Sequence, residues 1–143
     1  MDTALVTRAD FPHLVDHTTR WKDNDVYGHM NNVVHYELFD STVNQWLIQR
    51  GLLNLTASTA IGVVAESGCR YLAELKYPGV VTAGLRVVRL GNSSIRYELA
   101  LFAEGEEKAA AVGHFVHVYV DAQTRKPCPI PAKTRAAASA LLV

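Results

Sequence analysis

Two cysteines, Cys69 and Cys128, are all that the 143 residues contain. They lack CxxC spacing and are too few for a disulfide framework, so they read as structural thiols of a reducing compartment. An excess of one charge is also missing. Fourteen basic residues balance fourteen acidic ones, which leaves no broad positive field to hold nucleic acid or an anionic membrane. Any anionic ligand must then be met by local Arg or Lys. No apolar run approaches the roughly 20 residues of a bilayer span; the longest uncharged one, Ala109 to Val120, carries two histidines. Met1 to Asp10 holds Asp2, Arg8 and Asp10 without a continuous apolar core, so no secretory signal is expected there. The six histidines form neither HxH nor HExxH and have no clustered acids beside them, so neither a metal site nor a cofactor is expected. Internal repeats are absent.

Apolar substance remains. Hydrophobic residues make up 49% of the chain and charged ones 20%, enough to bury a core within one domain spanning 1–143. A cytoplasmic protein is the expectation. Leu14 to Trp21 reads as a first strand and Asp23 to Met30 as a loop. From Asn32 to Arg50, Tyr36, Phe39, Val43, Trp46 and Leu47 recur at helical spacing, opposite Glu37, Ser41, Gln45 and Gln49. Gly51 supplies a C′ glycine. Leu38 and Ile48 fall on the polar side, which suggests partial cover by another element or subunit.

Beyond the helix the period becomes two. Ile61 to Tyr71, Val80 to Leu90, Ser93 to Ala103 and Lys108 to Asp121 are strands separated by Pro78-Gly79, Gly91-Asn92 and Glu104-Gly105-Glu106. Ile95, Tyr97, Leu99 and Leu101 share one face, with Arg96 and Glu98 on the other. In the last strand Val112, Val116, Val118 and Val120 line one face and Phe115 and Tyr119 the other, which predicts a central strand covered on both sides. Short connections favour antiparallel hairpins. The tail, from about 132 and including Ala136 to Ala140, reads as flexible, a frayed helical end. The expected class is α+β, one helix needing an antiparallel sheet around it.

The most informative stretch is Trp21-Lys22-Asp23-Asn24-Asp25-Val26-Tyr27-Gly28-His29-Met30-Asn31-Asn32. It sets an acid just ahead of a helix start. Asn31 and Asn32 are both good N-cap residues, and the free N–H groups beyond the cap, at the positive end of the helix dipole, suit an oxygen gaining negative charge. Gly28, able to adopt positive φ, can fold Asp25 back toward that end. Alone, an Asp in a Gly-containing loop reads as a loop cap; within this block it reads as catalytic. An ordinary Asp titrates near about 3.9, so a carboxylate here is available as nucleophile or as general base. Asp23 reads as a supporting structural acid. His29 either closes the turn or donates to a substrate. Asp40, near the edge of the apolar stripe, needs a hydrogen-bonding partner.

From Leu14 to about Arg135 the chain resembles the hotdog fold, and within it the 4-hydroxybenzoyl-CoA thioesterase and acyl-CoA thioesterase family. The Asp23 to Asn32 block followed by an amphipathic helix carries the resemblance. Val118-Tyr119-Val120-Asp121 and Arg125-Lys126-Pro127-Cys128-Pro129-Ile130-Pro131 support it. The resemblance implies one long helix wrapped by a five-stranded antiparallel sheet. It also implies hydrolysis of an acyl-coenzyme A by a homodimer or homotetramer with active sites at the subunit interface. The family's catalytic acid matches Asp25, and its carbonyl-polarising backbone N–H falls at about Asn32. Gly28, His29, Asn31, His35 and Tyr36 become candidates for shaping the site around substrate; His35 stands where the family commonly has Tyr. Arg70, Arg86, Arg89 and Arg96 are candidates for coenzyme A phosphates, since guanidinium matches phosphate geometry, with an ordinary solvated strand face as the alternative for each. Two other functions stay open: a hotdog acyl-thioester hydratase or dehydratase, and a non-catalytic acyl-CoA-binding dimer.

Overall fold

A computed structural model describes residues 6–53 and 59–143. Its elements run β1 (His13–Thr18), α1 (Asn32–Gln49), β2 (Ala60–Tyr71), β3 (Val80–Leu90), β4 (Ser94–Phe102), β5 (Ala111–Asp121) and α2 (Ala132–Ser139). The strands form one antiparallel sheet in the order β1-β3-β4-β5-β2, so β1 and β2 are its edges. One long helix lies on one face of a five-stranded antiparallel sheet, which is the hotdog fold.

Alternation in the strands sets which face meets α1. In β4, Ile95, Tyr97, Leu99 and Leu101 are fully buried, while Arg96 and Glu98 face outward and pair across the sheet with Arg89 and Arg86. The helix answers with Phe39, Val43, Trp46 and Leu47, all within the same core cluster. Close approach to β5 depends on Gly113: a Cβ there would lie 2.3 Å from Phe39 Cε2 and 2.6 Å from the Gly68 carbonyl oxygen. The helix ends in a Schellman pattern, with Gly51 at φ 68°, its N–H donating to the Ile48 carbonyl and the Leu52 N–H to that of Leu47.

The outer face carries a second, smaller core. Val6 and Phe11 pack there on Ala100, Phe102, Ala109 and Val112, and Arg8 ties this segment down through Thr82 and the carbonyls of Ala103 and Glu106. The short N-terminal stretch thus covers part of the sheet that α1 does not.

Several expectations are corrected. Trp21 lies outside β1: it starts a 3₁₀ turn, Trp21–Asp23, and is exposed, because the buried acid Asp23 binds the Arg20 N–H and closes the chain into that turn. β5 is central, yet only its Phe115 and Tyr119 face is buried throughout; Val116 and Val118 are half-covered because the N-terminal segment reaches Val112 and stops short of them. The tail is not frayed. Ala138 and Leu141 are buried, and the Val87 N–H donates to the Leu141 carbonyl while the Val143 N–H donates to that of Val87, so α2 docks on β3. Leu38 is half-buried, and Ile48 is 60% exposed in the single chain. Asp40 is exposed, its Oδ1 accepting from Asn44.

Candidate active site

The Asp25 to His29 segment is a closed turn. The Asp25 N–H donates to the His29 carbonyl (2.8 Å) and the Gly28 N–H to that of Asp25 (3.1 Å), while Asn24 and Met30 bridge at the base. Gly28 makes the reversal at φ 82°, a left-handed conformation that an L side chain would strain. Asp25 Oδ1 accepts from the Tyr27 N–H (2.8 Å) and the His29 N–H (3.4 Å). One carboxylate oxygen therefore caps the loop. Among the described residues Oδ2 has no hydrogen-bond partner, so the second oxygen is available for chemistry. Asp25 and Asn24 line an open cleft of about 580 Å³ with Trp21, Lys22, Val26 and Gly28. Val26 is 93% exposed, so the rim of this cleft is apolar and uncovered in one chain.

The helix start follows directly. Asn31 is the N-cap: its Oδ1 accepts from the Val33 N–H (3.1 Å) and its carbonyl from that of Val34 (2.9 Å). Among the described residues the intervening Asn32 N–H has no acceptor, a free donor at the positive end of an 18-residue helix. The loop ahead of it is braced from below. Asp23, 3% exposed, accepts from the Arg20 N–H and guanidinium, and Arg20 also meets Glu37 on α1. The Asn31 N–H donates to the Asp23 carbonyl (2.8 Å).

The other candidates divide. His29 turns its ring to Glu74, Nε2 to Oε2 at 2.9 Å. His35 is buried, Nδ1 3.3 Å from the Asn31 carbonyl oxygen and its ring edge-on to Tyr71 at 4.8 Å; burial holds its pKa below the ordinary histidine range, opposed by hydrogen bonds to the backbone of Asn31 and Asn32. Tyr36 is half-buried, and burial together with the Cys69 and Tyr36 neighbours pushes the Tyr71 hydroxyl up to about 12. Burial likewise pushes the Cys69 thiol up to about 11, so it is protonated and a poor nucleophile near neutral pH. His35 thus meets Tyr71 of β2, a contact the sequence did not signal because helix and strand lie far apart along the chain and come together only on folding.

Arg86 is not available to a coenzyme A phosphate. It is 7% exposed, hydrogen-bonded to Glu98 and to the Asp10 carbonyl, and stacked on Phe11 at 4.7 Å. A buried guanidinium needs such partners, and the register that sets Arg86 opposite Glu98 supplies them. Arg70 and Arg89 are exposed on the outer face. Arg96 pairs with Glu66 at 3.6 Å and shares a shallow depression with Arg70. Among the described residues no group of His, Cys, Asp or Glu is arranged to hold a metal, and no helix is long and apolar enough to cross a membrane.

The family model of the thioesterase-like superfamily matches residues 19–138. The chain belongs to that superfamily. By that membership it is a thioester hydrolase. Among solved structures it is similar to the PA5185 protein of Pseudomonas aeruginosa strain PAO1, at 48% identity over 95% of each chain and a TM-score of 0.91. It shares its fold with Slr0204, a 1,4-dihydroxy-2-naphthoyl-CoA thioesterase from Synechocystis, at 13% identity, a TM-score of 0.82, and 90% of this chain against 96% of that one. A gentisyl-coenzyme A thioesterase shows the same fold at 21% identity and a TM-score of 0.76, over 88% of this chain and 99% of the other. No curated protein matches the sequence.

Proposed function

We propose that this thioesterase hydrolyses acyl-coenzyme A, with Asp25 as the acting carboxylate and the Asn32 backbone N–H as the donor to the thioester carbonyl. The observation that carries the reading is the pairing of two unengaged groups on one short stretch: the second oxygen of Asp25, and the Asn32 amide at the helix start. The carbonyl oxygen accepts from that amide as it gains charge. Asp25 then either attacks the carbonyl carbon, expelling coenzyme A thiolate and leaving an anhydride for water to open, or takes a proton from water as the water attacks. Both routes consume one water and yield a carboxylate and coenzyme A thiol. Two solved thioesterases of like fold act on aryl-CoA thioesters by name, which makes aromatic acyl groups the first to try.

Thiol release from aromatic, short, medium and long acyl-CoAs tests the reading. Asp25→Asn is expected to lower kcat by roughly 10²- to 10⁴-fold with the melting temperature unchanged. Turnover of an enoyl-CoA with loss of its conjugated absorbance and no thiol would make the chain a hydratase instead, and saturable binding without either product would make it a binding protein.

The reading includes a second copy paired along β2. That edge is twelve residues long and leaves Val64 and Tyr71 about half-exposed, and a long uncovered edge is a template for strand addition. Sedimentation at micromolar concentration is expected to give a dimer or larger.

A further inference from the structure

Both stems of the Asp25 turn, and its last side chain, are fastened to one segment of the β2–β3 connection. At the first stem the Asn24 side chain grips the backbone of Tyr77 from both sides: Oδ1 accepts from the Tyr77 N–H (3.0 Å) and Nδ2 donates to the Tyr77 carbonyl (3.4 Å). At the second stem the Met30 N–H donates to the Leu75 carbonyl at 2.7 Å. Between them the His29 ring meets Glu74. Trp21 packs edge-on against the Tyr77 ring at 6.1 Å. The segment is itself anchored, since Leu75 is 3% exposed and the Gly79 carbonyl takes both the N–H and the hydroxyl of Thr19.

A five-residue turn held only by its own two backbone bonds would leave the carboxylate direction loose. Attachment at both stems removes that freedom, because Asn24 adjoins Asp25 and His29 supplies one of the two amides that hold Oδ1. We infer that Glu74, Leu75 and Tyr77 form a template that aims Asp25, with Asn24 as the principal positioning residue and the His29–Glu74 pair as a lesser one. The inference rests on the proposed role of Asp25 and extends it to residues some fifty positions away in sequence. Leu75 contributes through its carbonyl and Tyr77 chiefly through its backbone, so their side chains give no hint of it.

The test uses Asn24→Ala, Glu74→Ala and Glu74→Gln in the full chain, read by acyl-CoA kinetics, by melting temperature and by amide-proton exchange of Asp25 and Tyr27 in nuclear magnetic resonance. Misplacement of a reacting group is costly, so Asn24→Ala is expected to lower kcat by roughly ten- to a hundredfold. Glu74→Ala, breaking an exposed pair, should lower it by about two- to fivefold. In both, exchange at Asp25 and Tyr27 rises while KM and the melting temperature hold, and Glu74→Gln, which still accepts from the imidazole, stays near the unmodified protein. Unchanged exchange in both alanine variants overturns the template whatever turnover does. Raised exchange with unchanged kcat, or a change confined to KM, overturns the positioning role. Glu74 is 72% exposed at its side chain, so its variants fold even where Asn24→Ala does not. Absence of thiol release from the unmodified protein removes the functional reading and the positioning role together, and the exchange rates separate that outcome from failure of the template.

Discussion

The two ends of α1 are built by different physics. At its start, between Arg20 and Asn32, hydrogen bonds and ion pairs hold a half-exposed loop: Asp23 to Arg20, Asp25 to two amides, Asn24 to Tyr77, Asn31 to Val33. Deeper along the helix, around Trp46, polar atoms go without partners. Trp46 Nε1, the Tyr97 hydroxyl and His117 Nδ1 are buried with no hydrogen bond among the described residues, and their rings meet edge to face. Burial pushes the Tyr97 hydroxyl pKa far up and the His117 pKa down. Apolar packing there outweighs unsatisfied polar atoms, each of which costs about 1–3 kcal/mol. The loop owes its shape to direction, the core to area removed from water.

Two substitutions separate the regions most widely. Asp25→Asn should remove activity and leave chemical denaturation unmoved, whereas Phe39→Ala should lower unfolding free energy by about 3–5 kcal/mol and leave kcat per folded molecule intact. Loss of activity in proportion to unfolding in both would erase the distinction. Gly113→Ala probes the core from the opposite side, since its methyl would collide with Phe39 and the Gly68 carbonyl; overpacking of this kind costs about 1–3 kcal/mol, read from a urea midpoint. At the loop, Asn31→Ala removes the N-cap and should cost about 1 kcal/mol, while keeping the Asn32 amide free.

Acid gives the smallest effect and sharpens the same contrast. Burial depresses the folded-state pKa of His35 and His117. Between those values and the ordinary histidine value of about 6.5, the unfolded chain binds more protons than the folded one. Stability therefore rises with pH through that window, is complete above it, and is lost as pH falls below about 6.5. Melting temperature should drop by a few degrees from pH 7.5 to pH 5 in scanning calorimetry, on the order of 1 kcal/mol, and His117→Gln should flatten part of the drop.

How far the sequence spoke for each region follows from the same division. The core was legible through period: β3 runs Val80–Leu90 as alternation predicts, and α1 stops one residue short of the expected Arg50. The site was legible where its geometry is local, as with the turn at Gly28, the cap at Asn31 and the acid at Asp25. It was illegible where partners come from afar. Nothing near Asn24 announces Tyr77, and nothing near Arg86 announces that Phe11 and Glu98 will enclose it. Propensity places Trp21 in a strand because it describes a half-buried pleated surface, whereas the buried Asp23 draws this stretch into a tight turn.

The N-terminal segment that roofs β3 and β4 also rations the back of the sheet. With Val6 and Phe11 seated on Phe102 and Val112, the apolar surface left uncovered on that side among the described residues is chiefly the strip of Ile61, Val63, Val116 and Val118, with Leu14 at the opposite edge. A molecule docking on this surface would find most of its apolar footprint on the β2–β5 side, and removing the stretch from Val6 to Phe11 would widen that footprint by baring Phe102 and Val112.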